Sequence, residues 1–392
     1  MGCPGALFDR HRDDAPARPR WLAVVPLLAF SAAASSKADA VQTLLGRLEG
    51  KTRLLKEQLQ VGGKAVRWDD LLYLIRDQEG RSIRSPQAVR LVNGELWFVD
   101  LLSFSAKKLK VRFMLFGERE IDADLVSALD FLPDLPSPEA GDKPGTLYRE
   151  KGEPIPGPLL WVERERFAID SPLGVLTLKR EGTARYLFRH AAAPPPAKGE
   201  EISLADGTTL RGQVKPVEDG VELEHAVLGR LSVPARALRS VLRRVPAAVY
   251  LTELAPKSVR ALPLVANPAP PEILAYPVRG EARTWPGEIH CLRGIRIQPK
   301  TVIEYRLPRK TGSKAVFTTT MSPLEDSRGD VRIRIASGGK ALLERDLVPE
   351  AKREAVSLNV PAGAELAVEV DFGPRIAFPC GVLLGDPHVV MR

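Results

Sequence analysis

Apolar and polar residues alternate along most of this chain, and glycine, asparagine, aspartate or proline breaks the alternation at short intervals. Leu109-Lys110-Val111-Arg112-Phe113 has a strict period of two, and Val331, Ile333 and Ile335 are separated by Arg332 and Arg334. A period of two sends every second side chain to one face, which predicts half-buried antiparallel strands rather than helices. The expectation is an all-β chain: several small meander or barrel-like repeat units, then a C-terminal antiparallel sandwich of jelly-roll type.

One arrangement recurs between Val41 and Val245. Its clearest copy runs from Ile202-Ser203-Leu204 through the Asp206-Gly207 turn, Leu210 to Val214, Val221-Glu222-Leu223, Gly229 and Leu231-Ser232-Val233 to Leu238, Val241 and Leu242. An earlier copy has Val89 to Val92, the Asn93-Gly94 turn, Leu96 to Val99, Leu109 to Phe113 and Gly117, with Ile121, Leu125 and Leu129 completing it. A third fits Gly152 and Gly174, with Val175-Leu176-Thr177-Leu178 as its final strand, and the stretch from Val41 to Asp77 reads as a shortened first copy. Asn-Gly and Asp-Gly between apolar runs predict tight hairpins, because both central residues of a type I′ turn take positive φ. Units of this size bury little surface and lean on neighbours; their general shape is that of small Sm-like or SH3-like barrels.

Proline-rich stretches punctuate this pattern and read as extended spacers. They divide the chain into residues 41–132 (degenerate units), a linker at 133–145, a unit at 146–190, a linker at 191–199, a unit at 200–246 and the sandwich at 249–392. Such units on spacers suit a chain that presents surfaces to other molecules.

The first 40 residues differ from the rest. Arg10, Arg12, Arg18 and Arg20 precede an apolar run from Trp21 to Ala34, and Ala38-Asp39-Ala40 places small residues where a signal peptidase reads them. This is the layout of a secretory leader, and the apolar run is shorter than the ~20 residues of a spanning helix. The expectation is cleavage near Ala40, export to the periplasm or beyond, and no membrane span in the mature chain.

Cys291 and Cys380 are then the only cysteines left. In an oxidising compartment they form either a structural disulfide or two separate half-buried thiols.

The net charge of +8 is small for 392 residues, and basic and acidic side chains are interleaved, as in Arg164-Glu165-Arg166. Nucleic-acid binding needs a concentrated basic patch. The densest cluster, Arg236, Arg239, Arg243 and Arg244, reads as a solvated face.

Catalytic patterns are missing as well. No Gly-x-Ser-x-Gly elbow, His-Glu-x-x-His pair or phosphate-binding glycine loop occurs. Asp69 and Asp70 are adjacent, so their carboxylates diverge, which does not suit glycoside hydrolysis; they read as a helix N-cap before Leu71-Leu72. The chain is expected not to be an enzyme.

Within residues 249–392, Tyr250-Leu251-Thr252-Glu253-Leu254, Arg293-Gly294-Ile295-Arg296-Ile297, Tyr305-Arg306-Leu307 and Asp386-Pro387 occur in that order. The series resembles the novel putative carbohydrate-binding module (NPCBM) family of bacterial exported proteins. Gln298-Pro299 and Thr319 to Ser322 stand where that family usually has His-Ser and Val-Gly-Ile-Asp. The resemblance implies a β-sandwich that contacts a glycan or cell-envelope polysaccharide; envelope proteins are the other partner class, suggested by the repeated small units.

Sugar recognition wants an aromatic plane and hydroxyl-binding polar groups. The candidates are Trp285, Asp386 and His388, with Tyr305 reading equally as a core strand residue. No cofactor is expected, with calcium left open: Asp386 is a sugar-hydroxyl acceptor, a calcium ligand on a terminal loop or the turn into the last strand. The reading is an exported, non-catalytic carbohydrate-binding protein, and its rival is an envelope docking scaffold whose sandwich has lost its sugar.

Overall fold

A computed structural model describes residues 39–76, 84–132, 135, 137–138, 141–190, 199–262, 271–275, 291–308, 314–324, 326–361 and 363–391. Residues 1–38, which hold most of the leader expected over 1–40, and Trp285 lie outside the described residues. The chain from Ala38 to Arg392 forms one compact unit, and the regular structure is strand apart from four single 3-10 turns among the described residues.

Four copies of one meander fill the first part. In the last copy the strands are Glu200–Leu204, Thr209–Val217, Gly220–His225 and Gly229–Pro234; a 3-10 turn at Ala235–Ala237 then leads into Leu238–Leu242. The final strand pairs antiparallel with the first, Ile202 opposite Val241, so the meander curls on itself. The second copy repeats this with the 3-10 turn Ala123–Leu125 and the closing pair Val126–Asp130 on Gln87–Leu91.

Three expectations are corrected here. The first copy is not shortened: Ala40–Thr43, Gly46–Glu49, Thr52–Leu55, Gln58–Val61, Lys64–Arg67 and Leu71–Ile75 make a full meander. Asp69 and Asp70 lie in its 3-10 turn Trp68–Asp70, which leads into a strand, not a helix. In the third copy Gly174–Lys179 is the penultimate strand, and Thr183–Leu187 closes on Thr146–Arg149. The period-two signal in Thr183-Ala184-Arg185-Tyr186-Leu187 was diluted by Arg185, which is buried only because it pairs with Asp130.

The copies are not beads on spacers. The closing strand of the first, Leu71–Ile75, pairs antiparallel with that of the fourth, Leu238–Leu242, with Val241 opposite Leu74. The closing strands of the second and third pair in the same way, Leu129 opposite Tyr186. A single hydrophobic cluster runs through all four, from Val41 through Trp97 and Phe167 to Val241. Meanders this small bury too little apolar surface alone, and sharing a core removes the deficit.

The hairpin signals at Asn93-Gly94 and Asp206-Gly207 are turns, but not of type I′: only the glycines take positive φ, Gly94 at 85 and Gly207 at 93, while Asn93 and Asp206 do not. Asn93 Oδ1 accepts the Glu95 N–H and Asp206 Oδ1 accepts the Thr208 N–H, the local bonds that make these residues turn formers. The two turns also clasp one another: Thr209 Oγ1 accepts the Leu96 N–H at 2.9 Å and Thr208 Oγ1 the Phe98 N–H at 3.0 Å.

The C-terminal part is a sandwich of two antiparallel sheets. One orders Glu272–Ala275, Arg293–Ile297, Val382–Met391, Lys314–Pro323 and Glu354–Pro361, with Ala248–Tyr250 also on Val382–Met391. The other orders Ser258–Ala261, Thr301–Arg306, Glu365–Phe372, Val331–Ser337 and Lys340–Leu347. Ile295, Tyr305, Phe317, Val331, Ile333, Ile335, Val368 and Val389 fill the space between them. Val382–Met391 is buried along its whole length, because its other face meets the meanders: Leu292, Tyr250 and Val390 pack with Ala40, Leu72, Tyr73, Ile75 and Leu242 in a separate cluster.

Candidate functional site

Asp386 lies in the middle of the last strand rather than on a terminal loop or in the turn before it. Thr318 pairs with His388 and Thr320 with Gly385, so Asp386 and Pro387 together face the single residue Thr319. This is a β-bulge, and Asp386 takes the left-handed φ of 45 that the extra residue requires. A Pro is tolerated there because a bulge interrupts the ladder that would have used its N–H.

The bulge turns the Asp386 carboxylate inward. Its Oδ1 accepts the N–H groups of Leu292 at 2.8 Å and Arg293 at 2.9 Å, and the residue is only 3% exposed. Burial pushes its pKa up to about 7; the two N–H bonds, the Tyr73 hydroxyl and the Arg47 charge offset part of that rise. His388, 1% exposed, donates from Nδ1 to the Asp386 carbonyl at 2.7 Å, and burial lowers its pKa. The Tyr250 ring lies 5.6 Å from the imidazole.

Asp386 and His388 are therefore together, as expected, but the place is closed. Tyr73 from the first meander covers Asp386, and burial raises the pKa of this phenol and of Tyr250. An acceptor committed to two backbone N–H groups under such a cover is neither a loop calcium ligand nor a sugar-hydroxyl acceptor. Tyr305 is a core residue between the sheets.

Cys291 and Cys380 are both buried and free. The strand register explains the absence of a bridge: the Cys291 side chain lies against Gly385, and Gly381, Val382, Leu383 and Leu384 intervene before Cys380. That separates them by roughly 15 Å of extended chain, whereas a disulfide tolerates Cα atoms at most about 7 Å apart. Burial raises both thiol pKa values.

The arginine cluster is also more embedded than expected. Arg243 stacks over Trp68 at 5.2 Å, and Arg244 Nη2 pairs with Glu253 at 2.9 Å. Glu253 also binds Arg293, whose guanidinium lies 3.8 Å from Glu201 of the fourth meander. This chain of charges, missed in the sequence because its members are far apart, ties the sandwich to the meanders beside Asp386. Arg353 with Glu49 at 3.8 Å adds a second tie.

Glu95 and His225 form another buried polar group. His225 Nδ1 accepts the N–H groups of Val227 and Leu228 at 3.0 Å, so its ring proton sits on Nε2 and points to Glu95 Oε2 at 3.0 Å. Trp97 Nε1 donates to the same oxygen at 2.9 Å, and Glu95 Oε1 accepts the Arg211 N–H at 3.0 Å. With every ring nitrogen and carboxylate oxygen occupied, this pair has nothing left with which to move a substrate proton. Among the described residues no group of three or more His, Cys, Asp or Glu is placed to hold a metal, and no helix is long and apolar enough to cross a membrane.

No family model matches the chain, and no curated protein does. Among solved structures the chain is similar to the CBM51 from Clostridium perfringens GH95 in complex with methyl-galactose, at 18% identity over 36% of this chain and 99% of that one, with a TM-score of 0.29. It is similar to the tandem CBM51 modules of the family 98 glycoside hydrolase from Streptococcus pneumoniae, at 10% identity over 87% of this chain and 88% of that one, with a TM-score of 0.29. A carbohydrate-binding module CBM36 in complex with calcium and xylotriose follows, at 7% identity over 37% of this chain and 98% of that one, with a TM-score of 0.23. At these scores the likenesses carry no argument about function.

Proposed function

We propose that this is an exported, non-catalytic carbohydrate-binding protein whose C-terminal sandwich is a divergent NPCBM-like module. The observation that supports the reading is how the matched segments meet. Asp386 of Asp386-Pro387 clasps the backbone at the start of Arg293-Gly294-Ile295, and Tyr250 of the opening segment pairs with His388. Segments that resemble a family because they build its framework are expected to touch one another, and these do.

Binding of the full chain to an array of polysaccharides and oligosaccharides tests this directly. The expected result is a weak glycan signal and no turnover of chromogenic glycosides. Turnover overturns the non-catalytic part, and a blank array overturns the sugar part.

One observation favours the rival reading, an envelope scaffold: the edge of the sandwich that carries the matched segments is itself docked on the meanders. Retention of envelope proteins by a chain that binds no glycan is the outcome that reading predicts.

A further inference from the structure

Phe378 and Ile376 are exposed by 52% and 66%, at the end of the sandwich reached from the start of Val382–Met391, away from the bulge that the meanders cover. They belong to the segment 373–381, which is zipped to the segment 326–330. Asp330 N–H donates to the Arg375 carbonyl at 2.8 Å, Arg328 N–H to the Pro379 carbonyl at 2.8 Å and Gly373 N–H to the Asp330 carbonyl at 2.9 Å. Between those bonds the backbones come so close that a Cβ on Gly329 would fall 2.5 Å from Ala377 N and O. Such a paired segment holds its backbone in a fixed path. Phe378 is further propped by the Phe372 ring, 5.2 Å away and steeply inclined at 75°.

Phe378 and Ile376 together present a small apolar surface on a backbone held in place by the 326–330 segment. Its surroundings say what it suits. Arg375 pairs with Asp330 at 3.1 Å and reaches Glu350 at 3.7 Å, and Arg296 pairs with Asp326 at 3.7 Å. These pairs leave little net charge to attract an ion, while presenting planar carboxylate and guanidinium groups beside a single ring. A pyranose has the matching form, an apolar face for the ring and hydroxyls around its rim for the polar groups. Two apolar side chains edged by ion pairs make too narrow a strip for a protein or lipid surface.

Resting on the carbohydrate-binding reading above, we infer that the 373–381 segment is the sugar-contacting edge of the sandwich, with Phe378 as the stacking platform, Ile376 beside it, and an uncharged pyranose as the ligand class. The bulge end, with Asp386 and His388, takes no part.

The test uses the full chain on an array of neutral and acidic polysaccharides, with Phe378→Ala, Phe378→Trp and Ile376→Ala alongside wild type and thermal unfolding as a check on folding. The expected result is a neutral-glycan signal that falls about tenfold or more in Phe378→Ala, the scale of loss of a base-stacking aromatic. Phe378→Trp should retain it and Ile376→Ala should weaken it in part. A wild-type signal that both alanine variants leave unchanged overturns this site while the carbohydrate reading stands; a signal confined to acidic glycans overturns the ligand class. A blank wild-type array overturns the reading and this site with it.

Discussion

Glu95 Oε2 and His225 Nε2 lie 3.0 Å apart although 130 residues separate them in sequence, and both side chains are 1% exposed. The contact locks the second meander to the fourth beside the clasped hairpins. Glu95→Ala would leave the Trp97 indole N–H, the His225 Nε2–H and the Arg211 N–H without their acceptor. Each buried donor left unsatisfied costs about 1–3 kcal/mol, and that loss should show in denaturant titration as a lower midpoint.

Asp386 should make stability depend on pH in the direction opposite to most carboxylates. Its folded pKa, about 7, lies above the ordinary aspartate value of 3.8, so between those values the folded chain holds a proton that the unfolded chain has lost. Stability therefore falls as pH rises through that window and levels off above it. Asp386→Asn keeps a neutral acceptor for the Leu292 and Arg293 N–H groups. Relative to that variant, wild type should lose about 4 kcal/mol between pH 4 and pH 8, measured by denaturant unfolding of both at each pH. Equal pH profiles would rule out a buried carboxyl at this bulge.

Tyr73 is the lid on the bulge. Tyr73→Ala should cost about 3–5 kcal/mol, as for other buried aromatics, and amide exchange should quicken in Val382–Met391 and Leu71–Ile75 together. Faster exchange in only one of the two strands contradicts a shared interface.

Both cysteines should be reduced in the folded protein. Ellman's reagent is expected to find no reactive thiol in the native chain and two after denaturation of the chain without its leader, because Cys291 and Cys380 are buried and their thiol pKa values are raised. A native mass lower by two hydrogens would show the bridge that the strand register argues against.

Under the proposed export, cleavage should fall before Asp39. The Asp39 carboxylate accepts the Thr52 N–H at 2.9 Å, its carbonyl accepts the Gly50 N–H at 3.1 Å, and Ala40 is the first residue of a strand. Cutting after Ala40 would remove all three features. N-terminal sequencing of the exported chain should find Asp39 retained, and a start at Val41 would contradict this.

The sequence by itself determined the local structure. Period-two runs such as Leu109 to Phe113 and the Asn-Gly and Asp-Gly turns specify strand and hairpin through one residue's own φ and its neighbours' faces, so the all-β fold, the four related meanders and the two-sheet sandwich were legible without coordinates. The sequence did not reveal which meander closes on which, because the pairing of Leu74 with Val241 and of Leu129 with Tyr186 joins closing strands that are alike in pattern and distant in the chain. Nor did it reveal the site. Asp386 in an Asp-Pro step reads as an exposed turn, and only the pairing of Gly385 and His388 around Thr319 shows that the extra residue is a bulge that turns a carboxylate into the protein. Phe378 reads as one more apolar residue near a core, and only the zipped neighbour at 326–330 holds it outward. Backbone preference is a property of a few consecutive residues; exposure and partnership depend on what the rest of the chain places opposite, and that is settled in three dimensions.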